Sequence, residues 1–589
     1  MNSAVRSDRS RTAASIARAA ALLLLLIASS TILEAGTADA LLRRVPPDTA
    51  GILVVEDLSS HLRTITASPA AAAFQRLPAA VAFRSSDAAR KLNDVQTQLQ
   101  AAFGASPAEL IDKIFGDAVV LCLHVDDDQP IERASGLLLI QPRDPALAAK
   151  VVKVVNALQQ AQGELVGIEE IRMGGRPIQV RKLAGKAGAR EYQVAFDDGV
   201  FAWSNSESLI RAVVARSEPG APRSGLLDQP DFRALREGLP SRAAISLFVS
   251  PRFLQRLLSL APEPGSPEDR RIRDVLDRIL TGLRAIGFAF EWRDGPLLHA
   301  RQILDPGAAG ERLRAWARRP IPDLASLPTL PARRLAFAWG SVDFVGIYRG
   351  MRSLFRGDEV RGLDLVETAL DGILLGEDLE SSVLPRLGPG IAAYLEPAAG
   401  SEAPRFDFTT MIELGGNDDQ RLSRALENAA RTLLAVAALD PKNRALGLEV
   451  ETVDVGGKRI VRFAGNSPVV VALTSRTLIV STSTEAVVRL AEPSSKSSVP
   501  PDFTPLRDRY FPKAQAFVVA DLARFAEFAR SHRQAISRQF SRPQEFDQAI
   551  ALLDLFPTAL AAVTVDPELA SIHWVAGLVA ARSGGADPR

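Results

Sequence analysis

The chain has 589 residues, 47% apolar and 24% charged, with 70 Lys and Arg against 69 Asp and Glu. A single cysteine excludes a disulfide framework within one chain and every cysteine-rich zinc or iron–sulfur centre, and five histidines leave little room for a multi-histidine metal site. The even charge balance supplies no bulk field for nucleic acid or an anionic membrane surface, and the length implies more than one domain.

Residues 1–40 have the pattern of an export signal. Arg6, Arg9, Arg11 and Arg18 form a basic region, Ala19 to Leu33 an apolar run, and Ala38-Asp39-Ala40 a small-x-small cleavage pattern. The apolar run falls short of the ~20 residues of a spanning helix, so cleavage after Ala40 is expected, with no transmembrane segment afterwards. The expected destination is the periplasm or the extracellular space.

Residues 41–308 read as a first α+β repeat. Pro46-Pro47 leads into a strand over Gly51–Glu56, followed by helical segments. One of these, Leu77–Gly104, looks like an insertion. A strand pair (Ala118–Val125, Ala134–Gln141) and a helix over Pro145–Gln160 come next. Ile171–Val180 forms a hairpin about Gly174-Gly175, because glycine tolerates the positive φ of a tight turn. Tyr192–Phe196 and Val200–Ser204 form another, through Asp197-Asp198-Gly199. A helix over Glu207–Ala215, a Pro230-Asp231-Phe232 helix start, a strand over Ala243–Val249 and a last hairpin at Asp294-Gly295 complete the repeat.

Residues 309–333 form a Pro-rich connection, with Pro320, Pro322, Pro328 and Pro331. Residues 334–589 then repeat the pattern. Strands are expected over Leu335–Ser341, Ile391–Leu395 and Phe406–Leu414, a helix over Asp418–Ala438, and a hairpin over Val453–Arg462 about Gly456-Gly457. Val469–Leu473 and Thr477–Ser481 pair next, followed by a helix over Glu485–Ala491, Pro501-Asp502-Phe503, a strand over Ala514–Ala520 and a turn at Asp566-Pro567. Strands joined by short turns, with helices between groups of them, give an α+β fold of two internally repeated halves. Each half is expected to be a mainly antiparallel sheet with helices packed on it.

Residues that could carry chemistry have simpler readings. Cys122 and His124 share one face of a strand, but two ligands do not make a zinc site, and a buried thiol is expected. Asp126-Asp127-Asp128 lacks the spacing of a calcium loop and reads as a solvated turn. Glu169 and Glu170 are strand neighbours on opposite faces. Gly388-Pro389-Gly390 precedes a strand and lacks the Lys-Ser/Thr ending of a phosphate loop. Ser341 is a lone serine at a strand end. His299 and His573 fall at matching places in the two closing hairpins, while His61 and His532 lie in helical stretches without an evident acid partner. The Pro-Asp-Phe segments suit capped helices whose Phe232 and Phe503 enter the core. No catalytic, cofactor-binding or metal-binding residue is assigned, and no cofactor.

The signal sequence, Pro46-Pro47, Gly116, Gly174-Gly175 and Pro230-Asp231-Phe232, with their second-half partners, resemble a family of exported bacterial proteins with a duplicated domain of unknown function. That resemblance implies export and a duplicated α+β architecture, and no activity. The expected role is a non-enzymatic binding or scaffolding protein of the cell envelope with an envelope protein as partner and no nucleic acid. The alternatives are a carrier of an apolar ligand held between sheet and helices, and a hydrolase whose site no motif reveals.

Overall fold

The structure is a computed structural model that describes residues 37–125, 134–184, 189–218, 220, 225–241, 243–260, 266–319, 330–353, 355, 358–398, 403–415, 420–439, 449–455, 458–464, 469–474, 477–491, 503–540 and 542–580. The chain parts into two compact units between Ile303 and Leu304. That is slightly earlier than the proline-rich stretch, of which residues 320–329 lie outside the described set.

The first unit opens with α1 (Thr37–Leu42) and β1 (Gly51–Glu56). Helices α2 (Leu58–Thr66), α3 (Pro69–Phe74), α4 (Pro78–Arg84), α5 (Asp87–Phe103) and α6 (Pro107–Phe115) precede β2 (Ala118–His124) and β3 (Ser135–Gln141). Pro107 and a reciprocal Ser106–Glu109 capping box start α6, satisfying two of its orphan donors. Then come α7 (Pro145–Ala161), β4 (Leu165–Met173), β5 (Arg176–Leu183), β6 (Arg190–Ala195), β7 (Phe201–Ser204), α8 (Glu207–Arg216) and α9 (Pro230–Gly238). The unit ends with β8 (Ile245–Val249), α10 (Pro251–Leu260), α11 (Pro267–Thr281), β9 (Leu283–Trp292) and β10 (Pro296–Leu304). Gly174 and Gly175 have φ of 54° and 78°, as the two-residue turn between β4 and β5 requires.

These strands form one sheet in the order β10-β9-β8-β1-β2-β3-β7-β6-β5-β4. Every pair of known register is antiparallel. One face carries Ile52, Val54, Val120, Cys122, Leu137 and Leu139 under α1, α8 and α9. On the other, Val55, Val119 and Ile140 meet Leu58 and Leu62 of α2 and Ile111 of α6.

Cys122 is enclosed as expected, between Ile52 and Leu137 on the neighbouring strands, and burial pushes its thiol up. Thiol reagents should fail to label the native protein and should label it once unfolded; rapid native labelling would place Cys122 at the surface. The opposite face of β2 is less closed. Leu121 is 42% exposed, and so is Leu247 at 39%. Both stand in register with Leu53, which is itself partly buried against Leu58, Leu62 and Ile111.

The expected cleavage site falls in α1. Ala38, Leu41 and Leu42 are all fully buried in the first core, and the Asp39 carboxylate lies 2.8 Å from Arg236, which also meets Glu56.

The second unit follows α12 (Ala308–Arg318) with β11 (Ala336–Ser341), α13 (Phe344–Arg352), α14 (Asp358–Ile373), β12 (Leu387–Pro397), β13 (Phe406–Leu414) and α15 (Gln420–Leu439). Next are β14 (Glu449–Val455), β15 (Lys458–Ala464), β16 (Val469–Leu473), β17 (Thr477–Ser481), α16 (Thr484–Ala491) and α17 (Phe503–Tyr510). It closes with β18 (Ala516–Asp521), α18 (Leu522–Ser531), α19 (Arg533–Ile536), α20 (Pro543–Leu555), β19 (Thr558–Asp566) and β20 (Ser571–Val579). Val455 pairs with Lys458 across the expected Gly456-Gly457 turn, whose two residues lie outside the described set. The sheet order is β20-β19-β18-β11-β12-β13-β17-β16-β15-β14, all antiparallel. Adding ten to each strand number of the first sheet gives the same order.

The helical hairpins between the eighth and ninth strands differ in one respect. In the second unit, Ala526 of α18 and Phe546 and Ile550 of α20 form a buried cluster, and Ile536 and Phe540 of the connecting segment pack against it. In the first unit no described residue of α10 or α11 is buried. Their apolar stripes instead leave Leu257, Leu260, Ile272, Leu276 and Ile279 between 42% and 55% exposed.

Candidate functional site

Four central strands of the first unit end together. β1 begins where β2 and β8 finish and β9 starts, as the pairs Gly51–Leu123, Gly51–Val249 and Val249–Ile286 require. The entry to β1 is tied down locally: Thr49 Oγ1 donates to the Pro46 carbonyl at 2.7 Å, Ala50 N to the Leu123 carbonyl at 2.9 Å, and Ser250 N to the Ala50 carbonyl at 2.8 Å. Pro251 then opens α10, a position where no backbone donor is needed.

This end of the sheet holds a cleft of about 770 Å³. Its wall includes Asp48, Thr49, His124, Gln229, Asp231, Ser250, Arg252, Gln255, Arg256, Thr281 and Arg284. Arg252 and Arg256 stand one turn apart on α10 and so share a face. Asp231 pairs with Arg284, and the Asp48 carboxylate lies 3.7 Å from His124 Nε2. Three arginines and a histidine therefore face two carboxylates, each beside a basic group. Thr49 donates its hydroxyl proton to the Pro46 carbonyl, and His124 Nε2 faces the Asp48 carboxylate.

A second polar cluster lies in the other unit. Glu396 and Asp407 are directly opposite on β12 and β13, as are Tyr394 and Thr409. Arg489 of α16 donates to Glu396 Oε1 at 2.7 Å and to the Tyr394 hydroxyl at 3.2 Å. The buried Thr409 hydroxyl lies 2.7 Å from that of Ser481. Burial, then the Glu396 carboxylate, raises the pKa of Asp407. Since its folded pKa exceeds the unfolded value, the native state holds the proton more tightly, and stability falls as pH rises through that window. Asp407→Asn should thus raise Tm near pH 7, with the gain vanishing by about pH 3, below the ordinary aspartate range. A lower Tm at neutral pH would mean that the charge of Asp407 is needed.

The residues singled out from the sequence are scattered. Ser341 is fully buried, out of a substrate's reach. Gly390 N already donates to Glu413 at 3.1 Å, so Gly388-Pro389-Gly390 offers no phosphate cradle. Glu169 pairs with Lys182 across the hairpin. His532 Nδ1 lies 3.0 Å from the Phe528 carbonyl at the end of α18. Asp126-Asp127-Asp128 lies outside the described residues.

The two hairpin histidines are unlike: His299 is buried, 3.3 Å from Glu291, while His573 is half-exposed. The absence of an acid near His61 is corrected. Burial lowers its pKa, and both Asp57 and Glu291 act against that shift. Hydrogen bonding to His299 lowers the pKa of Glu291. Among the described residues no group of three or more His, Cys, Asp or Glu could hold a metal ion, and no helix is long and apolar enough to cross a membrane.

The sequence reading passed over Arg252, Arg256 and Arg284. Its available signal was the i, i+4 arginine pair in Pro251–Leu260, opposite an apolar stripe. Comparison of the chain with family models, curated proteins and solved structures found no match.

Proposed function

We propose that this is an exported, non-enzymatic protein of the cell envelope that binds another envelope protein, and that its two units descend from one duplicated ancestor. The observation that carries the binding role is the open stripe on α10 and α11. In the second unit the equivalent hairpin is covered by Ile536 and Phe540 from its own connecting segment. The first unit joins α10 to α11 through Ala261-Pro262-Glu263-Pro264-Gly265, which has no bulky apolar side chain to do the same. A partner segment with two large apolar side chains at helical spacing would supply the missing cover. The shared strand order supports the duplication, and the resemblance to exported duplicated proteins belongs to the same reading.

The cleft does not favour an apolar carrier, because its lining is mostly charged and polar.

Crosslinking in the native envelope tests the proposal. The wild type should yield a defined crosslinked protein, and Ile272→Ser with Ile279→Ser should lose it while stability changes by less than about 0.5 kcal/mol. An undiminished crosslink in that variant, or none in the wild type, would remove the reading. The N-terminus of the recovered chain tests export separately. A start at Leu41 fits cleavage after Ala40, whereas a retained Met1 in the envelope would make the segment an anchor.

A further inference from the structure

We infer that α1 stays on the mature chain, and that the bond hydrolysed during export lies before Thr37 rather than after Ala40. This rests on the export reading above and moves only the bond that is cut. The endopeptidase of the export route adds one water across a peptide bond. The released leader then carries a new carboxylate and the mature chain a new ammonium. A cut after Ala40 would place that ammonium on Leu41, which is fully buried in the first core with Leu42 and Val45, and a charge taken out of water is costly. The same cut would remove Ala38, also fully buried, and the Asp39 carboxylate that lies 2.8 Å from Arg236. It would also remove the carbonyl that accepts from Arg43 N at 3.1 Å. Gly36-Thr37-Ala38 is a second small-x-small triplet, but a cut after it likewise takes Ala38 out of the core. Beyond α1 the segment stays fastened to the unit: Arg44 pairs with Asp198, and Leu226 N donates to the Val45 carbonyl at 3.1 Å. The second unit has the same entry. Leu330 precedes Pro331 as Val45 precedes Pro46, and it too is buried, so a packed segment ahead of the proline belongs to the repeated unit and not to the leader. Ala35 and Gly36 come between the apolar run and α1 in the sequence and supply the small residue that such a cut needs.

Expression of the full chain in an export-competent bacterial host, with N-terminal sequencing of the exported product, tests this. The product should begin at Gly36 or Thr37. A start at Asp39 or Leu41 would overturn the inference and leave export standing, whereas a retained Met1 would remove the export reading and this inference with it. Ala40→Gln provides a second arm. Ala40 is exposed on α1, so the fold tolerates the change, while a bulky residue before the cut blocks a cut made there. The variant should be processed as fully as the wild type and at the same bond; accumulation of its precursor would place the cut after Ala40. A third arm needs no processing. Chains made to begin at Gly36 and at Leu41 should differ in melting, the shorter one unfolding at least about 5 °C lower or failing to fold. Equal melting of the two would show that α1 adds nothing to the first unit and would overturn the inference.

Discussion

Phe232→Ala and Phe503→Ala should each cost roughly 3–5 kcal/mol, the range for removing a buried aromatic ring, which for a unit of this size is about 6–20 °C in Tm. Phe232 is 6% exposed and lies 4.6 Å, centroid to centroid, from Phe248 of β8. Phe503 is 3% exposed and stacks on Phe517 of β18 at 4.4 Å, with Phe337 and Phe511 at 6.2 and 6.5 Å. Each ring thus anchors its helix on the eighth strand of its own sheet. The larger loss is expected at Phe503, whose ring touches three others and whose removal opens a cavity among rigid neighbours. Calorimetry gives the answer. Two transitions, one responding to each substitution, would mark units that unfold independently; a single transition lowered in both variants would mark one cooperative body. Unchanged melting in both would mean that neither ring is core-packed.

The fold was readable where a local signal decides it. β1, four consecutive apolar residues between Gly51 and Glu56, is placed to the residue, as are β13, β16 and β17, because short apolar runs bounded by turn residues act within a few positions of the chain. The cleft was not readable, since its wall comes from segments near residues 48, 124, 230, 252 and 284. Only the order β9-β8-β1-β2 brings these together, and strand order is a long-range choice that no local pattern records. The exposure of Leu121 was missed for a related reason. An apolar side chain on both faces of a strand suggests cover on both, yet whether helices reach the middle of a face depends on where their connections lie. The match between the two halves, drawn from their strands, turns and capped helices, does not include the helical hairpins between the eighth and ninth strands, and so says nothing of Ile536 and Phe540, which pack into that of the second unit.

The least readable residue also supports the sharpest test of the first sheet. In Arg-Pro-Ile-Gln-Val-Arg-Lys-Leu, Arg181 looks like an outward-facing charge, yet it is 1% exposed. Its guanidinium pairs with Glu191 and Gln159 and lies 4.8 Å from the Trp203 ring. Burial raises the pKa of Glu191, and Arg181 works against that shift. Arg181→Met keeps most of the volume but leaves Glu191 without its cation, and breaking one side of such a pair costs about 3–5 kcal/mol. The sign of the pH dependence follows. Without Arg181 the folded pKa of Glu191 rises further above its unfolded value, so the native state of the variant gains relative stability as acid protonates it. The deficit of Arg181→Met should therefore be largest near pH 7 and shrink towards about pH 4, the ordinary glutamate range. Adding Glu191→Leu should recover most of the loss at neutral pH, because replacing both charges by apolar groups removes the desolvation that their attraction offsets. A deficit of the same size at both pH values, with no recovery in the double variant, would show that Arg181 stabilises the sheet through its contact with Trp203 and not through its charge.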